Sequence, residues 1–251
     1  MSTPSFNDYK IMEMSTHRSG TLRDVSLSDF SQLLAEDTDD DNITTSIEFP
    51  FTFEGESYTT LNVTTNGVVQ LVGDGTTLLG PELPDTWISS QLSSQEWADP
   101  VFAPWWSDLI TAGAVHRGGV YKHTRSIGFA GHQETIIRFI CYSQPAETSA
   151  DARLLIFEVV INSLGGIAFN YAPMITVGSP GFESPAAAVG IGMKSRQTGI
   201  TRYKIILGPD FDLTATDNWP MAFNNERSYL MTPPYRLVVS SSPVTNVRTT
   251  R

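Results

Sequence analysis

Residues 47–72 of this 251-residue chain read IEFPFTFEGESYTTLNVTTNGVVQLV, and they decide its fold class. From Ile47 to Phe53 the apolar residues fall at every second position, which is the period of a β-strand with one buried face. Pro50 lies within this strand and has no N–H to donate to a neighbouring strand. We therefore predict that the strand lies at the edge of a sheet or is bulged at the proline.

A β-hairpin is predicted directly after this strand. Residues 58–64 and 68–72 flank Asn66-Gly67, a pair that suits a two-residue turn because both turn positions require positive φ. Further strands are predicted at roughly ten-residue spacing, as in all-β proteins. They span residues 119–123, 135–142, 153–161, 167–171, 187–193, 202–207 and 236–240, with a turn at residues 162–166.

The N-terminal region predicts an arm and a helix. Residues 1–25 are polar and without periodicity, so we interpret them as an extended arm that contacts another subunit rather than its own core. Residues 26–36 predict a short helix, because the apolar residues from Leu27 to Leu34 have the spacing of one helical face.

The rest of the chain predicts one domain. Residues 26–242 are interpreted as an all-β, antiparallel, jelly-roll-like sandwich, and residues 243–251 as a polar, basic C-terminal tail. Residues 73–100 are rich in Gly, Pro and Ser and predict a long packed loop within this domain.

Composition and charge restrict the class of function. Hydrophobic residues make up 40% of the chain and charged residues 17%, which is typical of a folded protein rather than a disordered one. The net charge is −11, with −14 in residues 1–100 and +3 in residues 101–251. Such an acidic chain is not expected to bind nucleic acid or an anionic membrane. The uneven distribution favours head-to-tail contacts between copies.

The N-terminus bears on localisation. It lacks the basic start and apolar stretch of a signal peptide, and we expect a protein that is not secreted by that route. The glycosylation sequons at Asn42 and Asn62 are then expected to be idle.

Catalytic motifs are missing from the sequence. There is no nucleophile elbow, zinc-protease helix or phosphate-binding glycine loop, so we expect no enzyme, no catalytic residues and no cofactor. Asp108, Glu134 and Glu158 are the carboxylates that a glycoside hydrolase would need, but we interpret them as solvent-facing. Cys141 is the single cysteine, which excludes an internal disulfide, and its apolar strand predicts an inert core thiol.

Two patterns resemble metal sites. Asp37, Asp39, Asp41 and Glu48 have the spacing of positions 1, 3, 5 and 12 of a calcium loop, but a strand follows where the second helix of an EF-hand would lie. A solvated acidic turn is the favoured interpretation, and calcium binding stays open. The sequence also offers zinc nitrogens at His116, His123 and His132, which we interpret as ordinary histidines. No metal residues are therefore assigned.

Trp105 and Trp106 are adjacent on one strand and point to opposite faces. Either both rings are buried in the sandwich, which we favour, or one is exposed and stacks on a sugar or a partner protein.

Four segments together resemble the nidogen-like extracellular domain and its bacterial and phage-borne relatives. They are IEFPFTFEGESYTTLNVTTNGVVQL, VFAPWWSDL, GGVYKH and RLLIFEVVINSLGGIAFNY, in this order. The resemblance covers about residues 36–192, and it implies a non-catalytic adhesive or structural module.

With no signal peptide recognised, the resemblance favours a structural component of a bacteriophage-like virion, such as a decoration, collar or tail-associated protein. Such a protein is assembled in the host cytoplasm, and its expected partners are other copies of itself and other virion proteins. The alternative is a carbohydrate- or receptor-binding adhesion module that binds a host-surface glycan through Trp87, Trp97 or Trp106.

Overall fold

The computed structural model describes residues 10–15, 22–53, 55–75, 78, 100–128, 131–143, 153–172, 175–176, 188–194, 201–207 and 227–232. Within these ranges the strands are β1 Lys10–Ser15, β2 Ser31–Leu34, β3 Asn42–Phe53, β4 Glu56–Thr64, β5 Val68–Val72, β6 Val101–Trp106, β7 Leu109–Thr111, β8 Gly119–Ser126, β9 Gln133–Ser143, β10 Arg153–Asn162, β11 Ile167–Tyr171, β12 Ile175–Thr176, β13 Ala188–Lys194, β14 Thr201–Leu207 and β15 Arg227–Thr232. The helical elements of the described part are single 3-10 turns at Leu27–Asp29 and Ala114–His116.

The strands form two antiparallel sheets that pack face to face. The large sheet has the order β1-β15-β11-β10-β9-β8-β2, with β7 beside β9 and β12 beside β10. The small sheet has the order β14-β13-β6-β5-β4-β3. The core joins the two layers, as where Trp105 of the small sheet stacks on Phe157 of the large sheet with ring centroids 6.4 Å apart. The predicted all-β sandwich is thus confirmed.

Strand β3 confirms both features expected around Pro50. It is the edge strand of the small sheet, and its pairing with β4 shifts register between Ser46 and Phe51. Along the strand the apolar residues from Ile47 to Phe53 are buried, while the polar residues and Pro50 between them are exposed. The alternation therefore places one face of β3 on the core.

The hairpin between β4 and β5 differs in detail from the prediction. Thr64 pairs with Val68, so the turn has three residues instead of two, and Gly67 alone in it has a positive φ, of 76°. The chain passes so close to β6 here that a Cβ atom on Gly67 would lie 1.9 Å from the carbonyl oxygen of Trp105. Glycine is therefore required at this position by conformation and by space.

Most predicted strands are present within a few residues of the expected bounds. Strands β1, β2, β7, β12 and β15 were not expected, and they are short segments of up to six residues. The predicted strand at 236–240, the tail at 243–251 and most of the loop at 73–100 lie outside the described residues.

The helix predicted for residues 26–36 is wrong. The chain makes one 3-10 turn at Leu27–Asp29 and then pairs as β2 with β8. Leu27 and Phe30 pack on the outer face of the large sheet, whereas Leu34 enters the core between the sheets. The apolar residues thus pack in two different layers, which one helical face could not do. A helix of this length also gains too little from its own hydrogen bonds to compete with the pairing of β2 and β8.

The prediction of an arm at residues 1–25 that does not contact its own domain is wrong for the described residues 10–15 and 22–25. Residues 10–15 form β1 beside β15 at one edge of the large sheet, and residues 22–25 lie on its outer face. We call residues 22–30 the strap, and we call β1, the strap and β2 together, residues 10–15 and 22–34, the clasp. The clasp provides both edge strands of the large sheet.

Candidate functional site

The strap covers a charged patch on the outer face of the large sheet. Residues at alternate positions of β9, β10 and β11 face the strap, and these strands are buried on both faces. Arg138 lies opposite Glu158, which in turn lies opposite Asn170 on the next strand. The pairing register alone thus aligns three polar side chains across three strands.

Arg138 and Glu158 form a buried ion pair beneath the strap. The Arg138 Nε donates to Oε1 of Glu158 at 2.7 Å, and Nη2 of the same guanidinium lies 2.6 Å from that oxygen. The second carboxylate oxygen, Oε2, accepts from Nδ2 of Asn170 at 3.2 Å. Glu158 is 0% exposed and Arg138 is 7% exposed. A charge pair so deeply buried is stable only with such additional hydrogen bonds.

The same pair holds the backbone of the strap. Arg138 donates from Nη1 to the carbonyl oxygen of Val25 at 3.2 Å and from Nη2 to that of Arg23 at 2.8 Å. Glu158 Oε2 accepts the backbone N–H of Arg23 at 3.0 Å. The ring of Phe30 lies 4.5 Å from the guanidinium carbon of Arg138, a cation–π contact. Strap and sheet are therefore joined by directional, charge-assisted contacts.

A second buried carboxylate, Glu134, binds two arginines. Its Oε1 accepts from Nε of Arg125 at 2.8 Å, and Nη2 of Arg23 lies 3.3 Å from Oε2. Glu134 and Glu158 were expected to face solvent, and that interpretation is wrong, because the strap covers the face on which they lie. Each is bound by guanidinium groups, an arrangement that docks the strap rather than one poised for proton transfer.

Apolar contacts complete the docking of the strap. Val25 and Phe30 pack on a cluster of outer-face residues, which are Ile136, Val160 and Ala168. His123 Nδ1 lies 2.8 Å from the carbonyl oxygen of Asp29, and its ring lies 5.3 Å from that of Phe30. His123 therefore helps to seat the strap.

The sequence analysis missed Arg23, Arg125, Arg138 and Asn170. A usable signal was present, because Arg138 and Glu158 each interrupt an otherwise apolar strand. An apolar run on both faces indicates burial on both sides, so a charge within it needs a buried partner.

The loop from β2 to β3, together with Asp108 between β6 and β7, forms a second charged feature, which we call the acidic end. Its members are the exposed side chains of Glu36, Asp37, Asp39, Asp40, Asp41 and Asp108. Thr111 fixes the loop by accepting the backbone N–H of Thr38 at 2.7 Å, and Thr65 accepts that of Asp41 at 3.1 Å. The loop is thus attached to β7 and to the β4–β5 turn.

Asn66 connects this loop to the start of β7. Its Nδ2 donates to Oδ1 of Asp40 at 2.9 Å, and its Oδ1 accepts the backbone N–H of Leu109 at 2.7 Å. Partial burial and the negative charges of Asp39 and Asp40 raise the pKa of Asp108. Like charges therefore crowd this end of the sandwich.

The calcium-loop interpretation of this region is not supported by the geometry. Glu48 lies six residues along β3 from Asn42, about 20 Å at strand rise, and pairs with Lys122 at 3.1 Å. Among the described residues, no three His, Cys, Asp or Glu side chains are grouped to hold a metal ion.

The tryptophans and the cysteine singled out in the sequence are buried where the structure describes them. Trp105 and Trp106 are both buried, so an exposed sugar platform at Trp106 is excluded, and Trp87 and Trp97 lie outside the described residues. Burial raises the pKa of the Cys141 thiol, in agreement with the predicted inert core cysteine.

The three histidines considered as zinc ligands make different structural contacts. His116 packs edge-on against Tyr142 with ring centroids 5.8 Å apart, and His123 contacts the strap. His132 accepts the backbone N–H of Ile127 through its carbonyl oxygen at 2.8 Å. Asn62, one of the two sequon asparagines, is 0% exposed and donates to Gln70.

Fold and site together define a β-sandwich whose buried charges fasten its own N-terminal segment. A family model described as NIDO related matches residues 15–218, and the chain belongs to this family. The resemblance to nidogen-like domains is thereby confirmed. Comparison with curated proteins and with solved structures gives no match. In the described part of the chain no helix has the length and apolarity needed to cross a membrane.

Proposed function

We propose that this protein is a non-enzymatic structural component of a bacteriophage-like virion, as a decoration, collar or tail-associated protein. It acts through contacts with other copies of itself and with other virion proteins, and it is assembled in the host cytoplasm. Membership of the NIDO-related family supports a structural module. The virion setting rests on the resemblance to phage-borne relatives of the nidogen-like domain.

Charge polarity carries the protein-contact part of this proposal. The acidic end lies beside the start of β3, at one edge of the small sheet. The basic positions Lys194, Arg202 and Lys204 lie on β13 and β14, toward the opposite edge. Five strand spacings of about 4.8 Å separate the two edge strands, a distance of about 24 Å.

Such a separation favours head-to-tail contacts between copies. Unlike faces on identical subunits meet in heterologous contacts, which close into rings or extend over a lattice. Exposed ion pairs contribute about 0–1 kcal/mol each, so charge sets orientation and association rate while apolar contacts supply affinity.

The buried charges support a structural rather than a catalytic role. Glu134 and Glu158, the carboxylates offered for glycoside hydrolysis, are bound by arginines under the strap. The buried pair of Glu158 and Arg138 thus contributes to docking the N-terminal segment.

The virion assignment is tested by locating the protein in particles. Mass spectrometry of purified particles from the source, with a particle-free cell fraction as the control, is expected to detect the chain only with particles. Electron microscopy of an epitope-tagged chain then gives its position. A chain found only in the particle-free fraction would contradict the proposal, and specific binding on a glycan array would favour the adhesion alternative.

A further inference from the structure

We propose that the clasp, residues 10–15 and 22–34, exchanges between copies. Released from its own sandwich, the clasp of one chain seats on the outer face and both edges of the large sheet of a second copy. This inference rests on the proposed function, since packed copies of the chain are what make exchange productive.

The outer face is built to bind an extended chain through its backbone. Arg138 donates to the carbonyl oxygens of Arg23 and Val25, while Glu158 accepts the N–H of Arg23. These contacts depend on the path of the strap backbone, and Phe30 adds one aromatic anchor over the guanidinium. The part of the outer face beneath the strap, which we call the groove, accepts the same segment equally well from its own chain or from another.

The groove keeps its shape when the strap leaves. The bonds from Arg138 and Asn170 to Glu158 all lie within the sheet. The ion pair therefore remains oriented toward an incoming segment, which lowers the cost of rebinding.

The strap is only partly buried on the sheet. Each of its side chains is half-buried or exposed, and it belongs to no strand. Its backbone bonds within itself, from Val25 to Arg23, Asp29 to Ser26 and Phe30 to Leu27, and reaches the sheet through the side chains of Arg138 and Glu158 instead of a strand ladder. Segments with few buried contacts open first, before the rest of the domain.

Departure of the clasp exposes two strand edges at once. Strand β15 loses β1, and β8 loses β2. An unpaired edge is a template for another strand, and the clasp of a second copy carries both matching strands. The occupant that fits both edges and the groove together is therefore a second clasp.

The loop after β2 provides a strained hinge for exchange. Asp37 and Asp40 adopt positive φ values of 53° and 41°, a conformation that costs energy in residues other than glycine. The crowded negative charges of the acidic end add repulsion in the same loop. Short hinge loops under strain favour domain swapping, because an extended hinge relieves the strain.

Two chains, each with one added cysteine beside the buried native Cys141, test the exchange. Ser31 of β2 pairs directly with Lys122 of β8. We would mix full-length Ser31→Cys and Lys122→Cys chains and treat them with a short bismaleimide. A doubly substituted Ser31→Cys, Lys122→Cys chain at low concentration is the positive control and is expected to cross-link within itself.

Exchange predicts a product joining one Ser31→Cys chain to one Lys122→Cys chain. The tether gives each clasp an effective concentration of the order of mM on its own sandwich, so the product is expected only when copies are similarly concentrated or assembled. A mixture of Ser31→Cys with Glu56→Cys, whose cysteine lies at the far end of β4, controls for random contacts. Equal yields from the two mixtures would overturn the proposal.

Substitutions distinguish exchange from adventitious docking. Phe30→Ala weakens the same contact before and after exchange, so the cross-linked product forms faster but reaches the same final fraction of chains.

Asp37→Asn with Asp40→Asn relieves the strain of the hinge, since Asn adopts positive φ more readily and carries no charge. This double variant is expected to lower the final fraction of cross-linked chains. A final fraction that falls several-fold in Phe30→Ala would overturn the proposal.

The failure of exchange is distinguishable from failure of the proposed function. Particles that contain the chain but yield no Ser31–Lys122 product would exclude exchange and leave the virion role standing. Exchange by a chain that is absent from particles would support the exchange and contradict the virion role.

Discussion

At the scale of single residues, the buried charges explain why the N-terminal segment stays on the sheet. Arg138 is shared between the carboxylate of Glu158 and two carbonyl oxygens of the strap. Removal of either charged partner leaves the other buried without a counter-charge, whereas removal of both leaves no buried charge but deprives Asn170 and the strap backbone of their partners. The two kinds of variant therefore separate the need for charge balance from the need for the strap contacts.

Arg138→Met is expected to lower the free energy of unfolding by about 3–5 kcal/mol, because it leaves Glu158 buried and unpaired. Arg138→Met with Glu158→Met is expected to recover part of that loss, since no buried charge is left unpaired, while Asn170 and the strap backbone still lose their partners. Urea unfolding of both variants measures the difference. A double variant as unstable as the single one would contradict the argument.

Gly67 and Gly75 form a matched pair for testing the close approach of the β4–β5 turn to β6. Both have positive φ, but a Cβ on Gly67 would meet the Trp105 carbonyl at 1.9 Å, whereas nothing lies within 4 Å of one on Gly75. We expect Gly75→Ala to cost about 1 kcal/mol from conformation alone. Gly67→Ala should cost at least about 2 kcal/mol more in chemical unfolding. Equal losses would show that the two chains do not approach as described.

At the scale of elements, prediction from sequence succeeds where all the apolar residues of a segment pack in the same layer of the sandwich. The alternation from Ile47 to Phe53 and the turn at residues 162–166 are local patterns, and both are present in the structure. The segment 26–36 was misassigned because Leu27 and Leu34 belong to different layers, a division set by tertiary contacts. The ion pair of Arg138 and Glu158 likewise depends on the register between two strands.

The acidic loop makes a pH-dependent contribution to stability through Asp108. Partial burial and the charges of Asp39 and Asp40 raise its pKa, so the folded protein binds a proton there more readily than the unfolded chain. Between the two pKa values, stability then falls as pH rises. An ionised Asp108 therefore opposes folding at neutral pH.

Asp108→Asn is expected to raise the Tm at pH 7 and to lose that advantage as pH falls below about 4, where the unfolded carboxyl is also protonated. The gain should stay under about 1 kcal/mol, because the side chain is largely exposed. Asp74→Asn, the same change of charge beyond β5, is the control for the loss of one negative charge. A Tm difference that is constant from pH 3 to pH 8 would contradict this account.

At the scale of the whole molecule, the N-terminal segment and the charge distribution bear on assembly. The clasp provides both edge strands of the large sheet, while the acidic end and the basic positions of β13 and β14 lie at different edges of the small sheet. We propose that copies of a chain arranged in this way meet through unlike edges. We therefore expect contacts between copies to depend on the position of charge and not only on its amount.

The most direct test of this claim compares two charge reversals in sedimentation velocity. Glu36→Lys with Asp39→Lys alters the acidic end, and Glu56→Lys with Asp74→Lys makes the same change of charge toward the other end of the β3–β4 pair, where Glu56 lies eight strand steps, about 26 Å, from Thr64. We expect wild-type self-association to weaken with added salt, the first variant to associate least, and the second to behave as wild type. Equal association by both variants, or association independent of salt, would contradict the account.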